Sequence, residues 1–167
     1  MLWETDRMRD KMEFNKERLL KCILVPVVAG GIAGFLSGGG MKEFAQLNQP
    51  PLSPPGWLFP IVWTILYVLM GVSSYLILNA ETDKNKFVPL VIYVIQLFVN
   101  VMWPIFFFGF GIRFFALLWL ILLWILVFWM IKKFREISKL AAKLCVPYLI
   151  WLTFAAYLNL GVWWLNR

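Results

Sequence analysis

The chain has 167 residues, of which 62% are hydrophobic, 18% aromatic and only 15% charged. That balance excludes an ordinary soluble domain, and runs of about 20 apolar residues read as bilayer spans. The net charge of +7 does not point to nucleic acid, because the basic residues cluster between the apolar runs, as a membrane protein requires.

Residues 1–18 mix both signs of charge and carry no sustained apolar stripe, so they read as a solvated cytoplasmic arm. The arm's length and its acids Glu4, Asp6, Asp10, Glu13 and Glu17 argue against a cleaved signal peptide ahead of the first apolar run. Five apolar runs follow, at 19–37, 57–78, 87–108, 114–131 and 142–165. In lipid each can satisfy its backbone only as a helix. The expected fold is an all-α membrane protein, with one five-helix transmembrane bundle over 19–167.

Charge orients the bundle. Arg7, Arg9, Lys11, Lys16, Arg18, Lys21, Lys84, Lys86, Lys132, Lys133, Arg135, Lys139 and Lys143 fall on one side, against Lys42, Arg113 and Arg167 on the other. The positive-inside rule then predicts a cytoplasmic N-terminus and an external C-terminus. The expected location is a bacterial cell membrane. Trp57 and the pair Trp163/Trp164 fall where interfacial aromatic anchors belong.

One connection, 38–56, is longer than a compact bundle needs, and long loops are more often lids or binding elements than spacers. Its proline pairs, Pro50–Pro51 and Pro54–Pro55, predict a semi-extended lid over the external end, with Pro54–Pro55 starting the second helix. The alternative is a rigid tether without ligand contact.

Helical periodicity places polar and aromatic residues on shared faces. In the third span Tyr93, Gln96, Asn100 and Trp103 make one stripe; in the second Pro60, Trp63/Thr64, Tyr67, Gly71 and Ser74 do so. In the fifth the stripe is Tyr148, Trp151, Ala155 and Asn159, whereas the fourth span has no polar side chain and is expected to face lipid over much of its circumference. Polar groups in hydrocarbon turn inward, either to glue helices by hydrogen bonds or to line a cavity. Indoles on the same faces favour a cavity for a flat, apolar ligand.

Some chemistry is excluded by composition. No ionisable side chain lies deep in any run, which argues against a proton relay or an ion-coupled transporter. No internal repeat is visible, and five spans do not divide into two halves. There is no histidine, so a haem iron would have to be held by Cys, Met or Tyr, and a bound tetrapyrrole is expected to be metal-free or held without protein ligation. Cys22 and Cys145 sit at or near span ends without metal spacing and read as small apolar residues. Gly30, Gly34 and Gly38 in the first run suit close helix approach, to another span or to a second subunit.

The stretches "PPGWLFPIVWTILYVLMG" (54–71), "QLFVNVMWPIFFFG" (96–109) and "PYLIWLTFAAYLN" (147–159) resemble the TspO/MBR family, the tryptophan-rich sensory and translocator (peripheral benzodiazepine receptor) proteins. The resemblance implies a five-helix bundle, often a homodimer, whose cavity under the first long loop binds porphyrins and isoquinoline-type ligands, with no obligate cofactor. It places Trp63, Asn100, Trp151 and Ala155 at pocket positions, with Tyr67, Trp103 and Tyr148 close by. This chain departs from the family pattern at Leu52, where a lid aromatic is usual, and at Pro104, where Ser or Thr is usual. Leu160 and Trp164 break the cholesterol-recognition pattern of the animal members, so sterol binding is not implied. Three functions compete: a receptor or sensor of tetrapyrroles, serving their transport or regulation, a light- and oxygen-dependent porphyrin-degrading enzyme using Trp63 and Trp151, and a structural partner of another membrane protein.

Overall fold

Asn15 opens the first helix: its side chain accepts the N–H of Arg18 at 2.8 Å, satisfying a donor that the helix itself leaves orphaned. The computed structural model describes residues 15–37 and 44–167. The expectations for the arm before Asn15, for Gly38 and for Lys42 lie outside the described residues. Helix α1 runs Lys16–Leu36 and α2 runs Leu58–Leu78. Helix α3, Phe87–Pro104, continues into one π-helical turn at Ile105–Gly109. Helix α4 spans Arg113–Ile137, a short α5 spans Lys139–Leu144, and α6 spans Val146–Leu165. Five of these stretches, counting α5 and α6 as one, are long and apolar enough to cross a membrane.

Two proline effects shape the elements. Pro104 has no N–H to donate back along α3, and the helix widens to i→i+5 bonding just beyond it, with Phe110 N–H reaching Ile105 O at 2.9 Å. Pro26, inside α1, deprives the Cys22 carbonyl of its i+4 donor. That carbonyl lies against Gly71 of α2, where an added Cβ would sit 2.7 Å from it and 2.5 Å from Ile23 Cα. The two backbones thus approach as closely as only glycine permits at Gly71, and on α1 Gly30 makes a second close contact, with a Cβ there 2.0 Å from the Tyr67 ring.

The starting signal of α2 differs from the expectation. Pro54 and Pro55 stand before the helix, and a turn carries the chain into it through Leu58 N–H to Pro55 O (2.9 Å) and Phe59 N–H to Gly56 O. Pro60 instead occupies the first turn, where its missing N–H costs nothing.

Helix α4 packs against α3, α5 and α6. It buries Ala116, Leu117, Leu120, Leu123, Val127, Met130 and Phe134 along one face, while Leu118, Ile121, Ile125 and Trp129 stay exposed on the other. The lipid-facing expectation therefore holds for one face only. The most peripheral helix is α1, in which Pro26 and Ala33 are the buried residues. An all-apolar helix gives no polar cue to separate a face toward protein from one toward lipid. Trp124 is half-buried and donates its indole N–H to Thr153 Oγ1 of α6 at 2.9 Å, so it ties two helices together.

The loop ahead of α2 is held down at four places. Phe44 is buried against Phe59, Phe107 and Phe108. Asn48 exchanges two hydrogen bonds with the Asn166 side chain, at 3.0 and 2.9 Å. The Pro50 ring lies on Gly161, where a Cβ would come within 2.6 Å of it, and Tyr157 donates to Pro51 O at 2.9 Å.

Candidate functional site

The stripe predicted on the third span is one buried face: Tyr93, Gln96, Asn100 and Trp103 are all inside the bundle. Gln96 and Asn100 lie on α3, opposite Tyr67 of α2 and Tyr148 of α6, and the four join in one relay. Tyr67 Oη donates to Asn100 Oδ1 at 2.6 Å, Asn100 Nδ2 donates to Tyr148 Oη at 2.6 Å, and Tyr148 Oη donates to Gln96 Oε1 at 3.1 Å. In a buried, low-dielectric interior such a chain holds each member in one orientation. With its amide set so that Nδ2 faces Arg113 O at 2.8 Å, Asn159 of α6 accepts the Trp103 indole N–H at 3.2 Å and Leu117 N–H at 3.3 Å. Both roles considered for the polar stripes are therefore present: Gln96 and Asn159 join helices, and Asn100 joins helices while also facing a cavity.

That cavity, of about 370 Å³, lies between α1, α2 and α3. Trp63, Tyr67, Asn100 and Trp103 line it, with Phe59, Pro104 and Phe108 completing the α2 and α3 walls. Trp63 stacks on Tyr67 at 5.7 Å and stands 6.3 Å from Trp103, so three aromatic faces meet around it. Polar groups are few. Tyr67 and one Asn100 N–H are spent on the relay, Ser37 donates to Ala33 O and Thr64 to Pro60 O. The second N–H of the Asn100 amide has no partner among the described residues. A size of several hundred Å³, apolar walls and a few polar groups, the oriented Asn100 amide among them, are the properties of a small-molecule site.

The other three expected site residues lie elsewhere. Tyr148 is fully buried behind the wall, with its ring 6.1 Å from Trp63, and acts through Asn100. Ala155 borders a separate, smaller void shared with Trp103 and Asn159. Trp151 packs edge-on against Phe59 at 5.9 Å and reaches the cavity only through that ring. The sequence reading missed Phe59 and the part played by Gly30, Gly31 and Gly34, which form the α1 wall. Their spacing was the available signal, and it reads equally well as helix packing.

The wider comparisons agree with this architecture. The TspO/MBR family model matches residues 22–165. The chain is 37% identical to tryptophan-rich protein TspO of Chlorobaculum tepidum, over 91% of this chain and 99% of the relative. It is 39% identical to the translocator protein of Homo sapiens over 77% of this chain and 78% of the relative, and 35% identical to protein CrtK of Rhodobacter capsulatus over 83% and 86%. An apolar bundle of five crossings, matched over nearly its whole length by the family model and by relatives from bacteria and mammals, is an integral membrane protein of the TspO/MBR family.

Proposed function

We propose that this protein is a membrane receptor or sensor that binds porphyrins, or similar flat hydrophobic molecules such as isoquinoline-type ligands, in the cavity between α1, α2 and α3. The observation that carries the reading is the convergence of Trp63, Tyr67 and Trp103 on a cavity of about 370 Å³ lined by few polar groups, among them the Asn100 amide, whose second N–H has no partner among the described residues. Aromatic faces suit a planar macrocycle, and the amide suits a carboxylate or carbonyl at its edge. The receptor works without an obligate cofactor, in a bacterial cell membrane with its N-terminus inside, and a homodimer is compatible with the exposed face of α1.

The test is a titration of purified protein with protoporphyrin IX, in darkness and under illumination, following porphyrin absorbance and tryptophan fluorescence. Saturable quenching without bleaching is the expected result, whereas protein-dependent bleaching would favour the enzymatic reading. Trp63→Ala should weaken binding by roughly 1–3 kcal/mol, the value of one lost aromatic contact. Trp151→Ala should weaken it less, because Phe59 stands between that ring and the cavity. Equal losses at both positions would point to general destabilisation.

A further inference from the structure

Helices α1 and α2 are tight at one level and parted at another. Toward the Lys16 end of α1, Gly71 touches the Ile23 backbone, and a Cβ on Gly30 would lie 2.0 Å from the Tyr67 ring. Toward the loop end the contact stops: Cβ atoms on Gly31 and Gly34 would meet nothing within 4 Å. Across from them Pro60 and Thr64 are exposed, as are both glycines, yet all four line the cavity. Residues that line a cavity and are also exposed mark its mouth. This mouth opens sideways, within two membrane-crossing helices, between the exposed apolar side chains of Ile32, Phe35, Ile61 and Ile65. In a bilayer the neighbours of such side chains are acyl chains. At the loop end the described residues 44–51 are fastened by contrast, through Phe44, the Asn48–Asn166 pair, Pro50 on Gly161 and the Tyr157 bond to Pro51.

We propose that the ligand enters and leaves the cavity from within the bilayer, through the gap between α1 and α2, and that Gly31 and Gly34 are specificity-determining residues whose missing side chains set the width of that gap. The inference rests on the cavity being a ligand site. A flat apolar molecule concentrates in the membrane, so a lateral mouth meets it where it is most abundant and spares it a return to water. The described part of the loop, from Phe44 onward, then acts as a fixed roof.

Two measurements test this. In phosphatidylcholine nanodiscs, stopped-flow quenching by protoporphyrin IX should show association and dissociation both slowed by about tenfold or more in Gly34→Phe and Gly31→Phe. Both sites have open space, so the bundle should fold. Asn166→Ala, which frees the roof, should leave both rates within about twofold of the unaltered protein. Unchanged rates in both glycine variants, or faster association in Asn166→Ala, would overturn the lateral route. The second measurement needs no ligand. A nitroxide attached at Thr64→Cys, with Cys22 and Cys145 replaced by alanine, should be relaxed by lipid-dissolved oxygen and not by a water-soluble nickel chelate. Adding Gly34→Phe should reduce the oxygen effect. Stronger relaxation by the nickel chelate would overturn the gap as a lipid mouth. An oxygen-accessible label together with no porphyrin binding by the unaltered protein would sink the receptor reading and leave the mouth standing.

Discussion

Two backbone positions in this protein tolerate little, for opposite reasons. At Gly71 the obstacle is another helix: the nearest atoms to an added Cβ are the Ile23 Cα, Cys22 O and Ile23 N, all backbone and unable to swing aside. Gly71→Ala should therefore destabilise by about 1–3 kcal/mol, as overpacking does, despite the helix propensity that alanine adds. Gly31→Ala, with open space around it, should be neutral or stabilising by up to about 1 kcal/mol. Thermal unfolding in detergent distinguishes the two, and equal shifts would refute the packing argument. At Leu52 the obstacle is the residue's own backbone. Ser53 N–H bonds Pro50 O at 3.3 Å, Pro51 is second in that turn, and Leu52 is third with φ +67°. This is the pattern of a type II turn, whose third position favours glycine. Leu52→Gly should relieve about 1–2 kcal/mol of strain, offset in part by chain entropy, and so raise the melting temperature slightly. Leu52→Ile should lower it, since β-branching worsens left-handed strain.

At the level of elements, hydrogen bonds between helices carry information that periodicity does not. Trp124 lies on an apolar helix, yet its N–H is committed to Thr153 across the α4–α6 contact. Trp124→Phe should cost about 0.5–1.5 kcal/mol of stability and leave porphyrin affinity alone, and Thr153→Val should match it, with no added loss in the double variant. Additive losses would mean that the bond is immaterial. The loop ahead of α2 is a second case. Its prolines restrict the free chain, and each compatible proline contributes about 0.4–1 kcal/mol, so replacing Pro50, Pro51, Pro54 and Pro55 by alanine could shift local opening by roughly 2–4 kcal/mol. Hydrogen exchange should then rise at residues 48–58 and stay unchanged in α3, α4 and α6. A parallel rise in the helices would mean that the prolines support the whole bundle.

For the whole molecule, five crossings would put Asn15 and Arg167 on opposite faces of the membrane, and the end of the bundle that carries Lys84, Lys86, Lys132, Lys133, Arg135, Lys139 and Lys143 is the basic one. The positive-inside rule assigns that end to the cytoplasm. Cysteine at Ser53 should react with a membrane-impermeant maleimide in intact cells, and cysteine at the exposed Lys139 should not. Ser138 is a poor choice for the inner probe, because its hydroxyl caps α5 by accepting Ala141 N–H at 3.2 Å. Labelling in the reverse pattern would invert the orientation.

The number of crossings, most of their limits to within about three residues, and the inward face of α3 were legible in the sequence, because lipid enforces helicity and the step from Tyr93 to Gln96, Asn100 and Trp103 tracks one helical face; α4 runs on to Ile137, six residues past the apolar run, and the short α5 was not read. Three things were decided only by the tertiary structure. Which side of the apolar stretch 114–131 of α4 meets protein depends on its neighbours, since leucine is equally at home against either surroundings. The separation of Trp63 from Trp151 depends on Phe59 coming between α6 and the cavity, a contact set by how those helices cross. Gly30 and Gly34 of α1 read as one packing stripe, but only Gly30 meets α2 closely, a Cβ there lying 2.0 Å from the Tyr67 ring, while Gly34 faces open space and the closest backbone approach is made at Gly71 of α2. Spacing along one helix fixes which residues share a face; whether that face meets a helix or a cavity is fixed by the path of the neighbouring chain.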